Sequence, residues 1–232
     1  MKELFPEGTQ IQTVSTFSDF IDTAFEGEKN AIFWMRNLEG DFAEVVSKLT
    51  LKDDITEISP EDILSLHLSE NGDIARKIIL NDLKTLSDYG AKPTLNLLKN
   101  YERDLEFDFI STDVYSFHVD RSPIPTSTIL CTYYGAPSEI LPNYQAVQKI
   151  MIPEIRAKLR ELHTGSDEDF NTFLEEYFFD LHYEPKPNAQ PINLGIGHLW
   201  KLSVDHPEQK FLPCIHRAPK ENKDEFRLLL IC

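Results

Sequence analysis

Cysteine is scarce in this chain. Cys131, Cys214 and Cys232 are the three present, an odd number with no close pair. That argues against a disulfide framework and against a cysteine-type zinc site. Cys131 and Cys214 read instead as small buried residues. Basic residues are also few, 23 against 39 acidic ones, for a formal charge of −16. No lysine or arginine cluster interrupts that field, so nucleic acid and anionic lipid are not expected as partners. The acidity itself reads as a device for solubility. No apolar run approaches the roughly 18–20 residues of a membrane span. Met1-Lys2-Glu3-Leu4-Phe5-Pro6-Glu7-Gly8 lacks the apolar centre of a signal peptide, so the expected location is the cytoplasm. There is no Gly-x-Ser-x-Gly elbow and no P-loop, and Gly195-x-Gly197 stands without the rest of a dinucleotide fingerprint. Internal repeats and low-complexity tracts are absent as well.

What is present is a hydrophobic fraction of 41%, enough for a packed core. Residues 1–92 read as mainly helical. Phe17, Phe20, Ile21 and Phe25 recur at helical spacing behind a capping Thr16 or Ser18. Ala31–Met35 is a short buried strand, and Gly40–Leu49 a helix with Phe42, Val45, Val46 and Leu49 on one face. Ser59-Pro60-Glu61-Asp62 has the form of a capped helix start. Asn71-Gly72-Asp73 is either a break or the start of a helix that runs to about Tyr89 and closes at Gly90.

Residues 93–232 read as strands. Thr94–Leu98 fits a strand or a helix, Glu106–Ile110 alternates, and Thr126–Tyr134 is rich in β-branched and aromatic residues. Residues 143–180 interrupt them as a helical insertion. Strand signals return at Ile192–Leu202, Phe211–His216 and Phe226–Cys232, the last two able to form a hairpin. The expectation is one α+β domain over 1–232. Its core would be a jelly-roll, cupin-like double-stranded β-helix, which buries many short strands without long edges.

The residues that suggest chemistry lie on those strands. Tyr115–Asp120 reads as a strand running out to a loop at Arg121-Ser122-Pro123. Residues two apart on a strand share a face, so the His118 imidazole and the Asp120 carboxylate point the same way. With 7 histidines and abundant acids, such a pair also arises by chance. His182-Tyr183-Glu184 repeats the spacing beside a proline-rich loop, with no clear strand around it. His216, near the end of another apolar stretch, is the best third ligand. Two histidines and a carboxylate with open positions form the facial triad of non-haem Fe(II) oxygenases, and the same donors suit zinc.

Arg227 comes eleven positions after His216, mid-strand, on the side of Leu229 and Ile231. A buried guanidinium needs a partner and grips a carboxylate bidentately. That partner is either a bound organic acid or an internal Asp or Glu, unless Arg227 is an edge residue reaching solvent. Thr132 and Tyr133 are further candidate donors to an acid. His198 reads as a turn-and-strand residue.

Five elements in order, Phe33-Trp34-Met35-Arg36, Phe117-His118-Val119-Asp120, Thr132-Tyr133-Tyr134-Gly135-Ala136-Pro137, His216-Arg217-Ala218-Pro219 and Arg227-Leu228-Leu229-Leu230, resemble those of a bacterial domain-of-unknown-function family. That family shows Phe-His-Val-Asp, Thr-Tyr-x-Gly-Pro, His-Arg-Ser-Pro and Arg-Leu-Leu-Leu. This chain departs from it by an extra residue in the Gly-Pro element and a longer helical insertion. More distantly, His-x-Asp, a remote His and an Arg about ten residues later resemble the Fe(II)/2-oxoglutarate dioxygenases of the double-stranded β-helix. That resemblance implies iron on His118, Asp120 and His216. It also implies 2-oxoglutarate anchored by Arg227 with help from Tyr133 or Thr132, and oxidation of a small-molecule or protein substrate. A cupin-like metal protein without oxygenase activity, holding zinc, and a non-enzymatic interaction domain are the alternatives.

Overall fold

The computed structural model describes Phe5 and residues 10–232. Apart from Phe5, the N-terminal stretch read as lacking a signal-peptide centre lies outside the described residues. In chain order the elements begin with β1 (Ile11–Val14), α1 (Phe17–Asp22), β2 (Ala31–Trp34), α2 (Phe42–Lys48), β3 (Ile55–Glu57), α3 (Pro60–Leu64), α4 (Glu70–Asp88) and β4 (Thr94–Leu98). They continue with β5 (Phe117–His118), β6 (Ser127–Tyr134), β7 (Glu139–Ile140), β8 (Ala146–Gln148), α5 (Pro153–Leu162) and α6 (Phe170–Glu176). The last are β9 (His182–Pro185), β10 (Ile192–Asn193), β11 (Leu199–Ser203), β12 (His216–Arg217) and β13 (Arg227–Ile231).

The strands form two sheets. The larger runs β1-β2-β11-β6-β13-β4-β3 and the smaller β10-β7-β12-β5-β9-β8. All pairs are antiparallel except β1 with β2. Between the sheets lies an apolar layer that includes Phe33, Leu130, Ile140, Trp200, Cys214 and Leu229. The opposite face of the larger sheet, with Cys131, Tyr133, Leu228 and Leu230, is covered by α1, α2 and α4. Alternation along β6 and β13 thus sends Thr132 and Arg227 inward and Tyr133 outward.

Local chemistry explains the helix boundaries. Thr16 caps α1 by accepting from the Asp19 N–H, and Ser69 caps α4 by accepting from Gly72. Ser59 and Asp62 exchange hydrogen bonds in a capping box with Pro60 at the first helical position. Asn71-Gly72-Asp73 therefore lies in the first turn of α4.

Several expectations are corrected. Glu106–Ile110 is not a strand. Asp104 and Asp113 accept from the backbone N–H groups of Thr112, Asp104 and Tyr115, so side chains take the place of a ladder there. Ile110 packs on Ile150, Leu159 and Phe170. The 143–180 insertion is not purely helical, because β8 lies inside it and pairs with β9. The final hairpin does not form: β12 pairs with β5 and β7 in the smaller sheet, β13 with β4 and β6 in the larger. Among the described residues up to 92, where helix was expected to predominate, the four helices are joined by β1 and β3 in addition to the expected strand β2. His182, expected to lie outside any clear strand, begins β9 directly opposite His118. No helix among the described residues is long and apolar enough to cross a membrane.

Candidate metal centre

His118 lies on a two-residue strand, and His216 lies directly opposite it on another. Asp120 sits at the start of the next loop, where its carbonyl accepts from the Asp205 N–H at 2.8 Å. One ligand atom from each of His118, Asp120 and His216 lies within 4.8 Å of the other two. His118 Nε2 is 3.8 Å from Asp120 Oδ1, and His216 Nε2 is 3.6 Å from Asp120 Oδ2.

The hydrogen bonds behind the rings set their tautomers. His118 Nδ1 is 2.8 Å from the Ser116 carbonyl, and His216 Nδ1 is 3.2 Å from the Cys214 carbonyl. A carbonyl only accepts, so each Nδ1 carries the proton and donates. Each Nε2 is then the ring nitrogen turned toward Asp120, the orientation of a metal-ligating histidine. Burial and the neighbouring His216 push His118 down to about 4, so it is a neutral imidazole at neutral pH. Its contact with Asp120 is therefore not an ion pair. Burial pushes the Asp120 carboxyl up, but His216, the Thr128 hydroxyl and His118 together hold it below the usual range. Thr128, on β6, donates its hydroxyl to Asp120 Oδ2.

A cavity of about 150 Å³ adjoins these groups, and Arg227, Ser138 and Tyr101 line it with them. Leu130, Leu229 and Ile231 form its apolar wall. Arg227 is 4% exposed. Its Nη2 donates to Thr132 Oγ1 at 3.0 Å and Ser138 Oγ at 2.8 Å, while its Nε is buried without an acceptor. No carboxylate among the described residues pairs with it. The alternatives of an internal salt bridge and a solvent-reaching edge arginine are therefore ruled out there. Burial lowers the Arg227 pKa from its ordinary value.

Tyr133 is a correction. Its hydroxyl donates to Asp82 Oδ2 at 2.6 Å on the helix-covered face, where Asp82 also takes both Nη1 contacts of Arg36. Adjacent residues on a strand face opposite ways, so Thr132 and Tyr133 cannot both reach the cavity. Tyr101 occupies the place expected for Tyr133, and its hydroxyl makes no hydrogen bond to the described residues. Burial raises the Tyr101 pKa while Arg227 lowers it. Tyr101 and Ser138 carry no signal in the sequence, since one lies in an irregular segment and the other just past a turn. His198 accepts from the Arg36 N–H and packs on Phe33, apart from the cavity. Cys131 and Cys214 are buried, as expected.

A scan of protein-family models, a search of curated proteins and a search of solved structures found nothing that matches this chain.

Proposed function

We propose that this protein is a non-haem Fe(II) oxygenase that uses 2-oxoglutarate as co-substrate. The donor set supports it: two imidazoles and one carboxylate from two strands and a loop, with room left beside them. The observation that carries the proposal is Arg227. A guanidinium buried without a salt bridge costs free energy; Glu221 acts on this one only from beyond ion-pair distance, and Arg227 shares a cavity with the three ligand residues. A small dianion seated there offsets that cost at one end and reaches the metal centre at the other. The cavity, at about 150 Å³, suits a short acid rather than a large molecule.

The strand order supports the finer fold. In sequence, β4, β5, β6 and β7 alternate between the larger and smaller sheets, and β10, β11, β12 and β13 do so again. Eight strands passing between two facing sheets is the arrangement of a jelly roll. On this reading the chain is a double-stranded β-helix whose smaller sheet carries the ligands and whose larger sheet carries Arg227.

Each residue then has a task. His118, Asp120 and His216 hold the metal, their geometry fixed by the Ser116 and Cys214 carbonyls and the Thr128 hydroxyl. Arg227 takes the distal carboxylate through its unused N–H groups, while Thr132 and Ser138 hold Nη2 in place. Tyr101 adds a hydroxyl donor. Leu130, Leu229 and Ile231 keep water from the acid. Iron, with the bound keto acid and dioxygen, would supply the oxidative chemistry: decarboxylation of the keto acid to succinate and carbon dioxide, one oxygen atom going to succinate and the other to oxidation of a substrate C–H bond.

The test is anaerobic addition of Fe(II) and 2-oxoglutarate, and then oxygen. A weak visible charge-transfer band and succinate release are expected, both lost in His118→Ala. Succinate release that survives His118→Ala would remove the proposal. Zinc binding with no such band would favour a cupin-like zinc protein.

A further inference from the structure

β12 holds only His216 and Arg217, so little ladder fixes this ligand. The residues ahead of it, Leu212-Pro213-Cys214, belong to no strand, and Pro213 has no N–H to give one. Yet His216 takes its ring orientation from that segment, since its Nδ1 donates to the Cys214 carbonyl. Something other than the sheet has to hold Cys214.

Side-chain amides do so. Asn30, just before β2, directs Nδ2 at the Leu212 carbonyl at 3.0 Å, the Pro213 carbonyl at 3.3 Å and Asn143 Oδ1 at 2.9 Å. Asn143 Nδ2 donates to the same Pro213 carbonyl at 2.9 Å. Gln10 accepts from the Asn143 N–H at 2.9 Å and turns its Nε2 to Cys214 Sγ at 3.8 Å. The Cys214 N–H donates to the Ser203 carbonyl at 2.8 Å, and the Ser203 N–H donates back to the Asn30 carbonyl at 2.9 Å. The planar Pro213–Cys214 peptide is thus held at its oxygen and at its N–H. Beyond it, the Ile215 carbonyl accepts from the Leu141 N–H at 2.9 Å. The Cys214 carbonyl that orients His216 therefore lies between two fixed peptides.

The Asn30 amide has one orientation, because its nitrogen faces carbonyls and a carbonyl only accepts. In that orientation its Oδ1 is buried without a partner, in a side chain that is 2% exposed. An unpaired buried oxygen is costly. An apolar side chain would avoid that cost and could not hold the segment.

We infer that Asn30 and Asn143 are positioning residues for His216, acting through the Pro213 and Cys214 carbonyls. Neither lines the cavity of the metal centre. Their bearing on metal affinity rests on the oxygenase reading, whereas their hold on the imidazole does not.

The test uses the metal-free full chain. Proton NMR follows exchange of the His216 Nδ1–H with water, the signal being assigned by its loss in His216→Ala. The His118 Nδ1–H, held by the Ser116 carbonyl, is the internal reference. Asn30→Ala and Asn143→Ala are each expected to speed exchange at His216 about tenfold and to leave His118 unchanged. Anaerobic titration with Fe(II) against a chromophoric chelator is expected to show about tenfold weaker binding in each. Both variants loosen one carbonyl, so the double variant should lose less than the product of the single losses. Asn143 is only half-buried, so Asn143→Ala decides the matter if Asn30→Ala does not fold. Unchanged exchange at His216 in Asn143→Ala, equal acceleration at His118, or a parent His216 Nδ1–H that exchanges too fast to detect would each overturn the inference. Faster exchange with Fe(II) affinity unchanged would overturn it as well, since the metal would then set the ring by itself. A parent that binds no Fe(II), with exchange at His216 still responding, would remove the oxygenase reading and leave the amides' hold on the imidazole standing.

Discussion

His118 and His216 face each other across antiparallel strands with ring centroids 4.6 Å apart, and each turns its Nε2 toward Asp120. Two imidazole nitrogens directed at one carboxylate form a site that a cation completes. Protons compete with a cation for such nitrogens, so the arrangement has a pH signature.

Burial and His216 push His118 down to about 4, and burial, with His118 and Lys149, pushes His182 down to about 3. In the unfolded chain both titrate near ~6.5. Between those values the unfolded state binds more protons than the folded one. Stability of the metal-free protein is therefore full above about pH 6.5 and falls as pH drops toward about 4. Urea unfolding at about pH 7.5 and about pH 5 should show the loss, and His182→Phe should reduce it. A loss of the same size in His182→Phe would mean that His182 does not contribute.

Thr128 touches the proposed metal only through Asp120. Thr128→Val keeps the shape and removes the hydroxyl donor, so the carboxylate is free to rotate. Metal affinity is expected to fall about 10–100-fold with little change in melting temperature. Competition with a chromophoric chelator measures it, and unchanged affinity would show that Asp120 is held by other contacts.

How much of the site is legible in the sequence depends on strand length. β5 and β12 are two residues each, too short for any periodicity, and they stand out because histidine and aspartate are unusual in apolar stretches. Arg227 stands out for the same reason. Tyr101 does not, because it sits in an irregular segment where its N–H donates to the Tyr115 hydroxyl rather than to a ladder. Alternation alone separates Tyr133 from Thr132, since adjacent strand residues cannot share a face. His182 is visible as His-x-Glu, but its place opposite β5 comes from a partner 64 positions away, which no local pattern reveals.

Tyr133 and Tyr101 should therefore behave oppositely. Tyr133→Phe removes a donor to the buried Asp82 and is expected to cost about 1–3 kcal/mol of stability without changing 2-oxoglutarate affinity. Tyr101→Phe is expected to weaken 2-oxoglutarate binding several-fold and leave the melting temperature nearly unchanged. Calorimetric titration of both variants, with thermal unfolding beside it, distinguishes the roles; acid affinity that falls only in Tyr133→Phe would reverse them.

Arg227→Met exchanges a buried charge that has no salt-bridge partner among the described residues for an apolar side chain of similar length. The variant is expected to be more stable than the parent by about 1–4 kcal/mol, to bind metal as before and to lose 2-oxoglutarate binding. Gain of stability with loss of function is the pattern of a residue kept for its ligand. A variant that is less stable, with acid binding intact, would show that the guanidinium serves the fold.

Gly135 tests whether the backbone sets the position of Arg227. It ends β6 at φ 82°, and a Cβ there would lie 2.6 Å from the Phe226 carbonyl oxygen and 2.9 Å from Arg227 Cα. Both are backbone atoms of or beside β13, so relief requires that strand to shift. The register between β13 and β6 already slips between Leu228 and Leu229, an irregularity of the kind that aims a side chain at a site. Gly135→Ala is expected to cost about 1–3 kcal/mol and to weaken 2-oxoglutarate binding more than metal binding, because the ligands lie on the other sheet. Equal losses of metal and acid would mean that the shift spreads to β5 and β12 and that Gly135 supports the two sheets together.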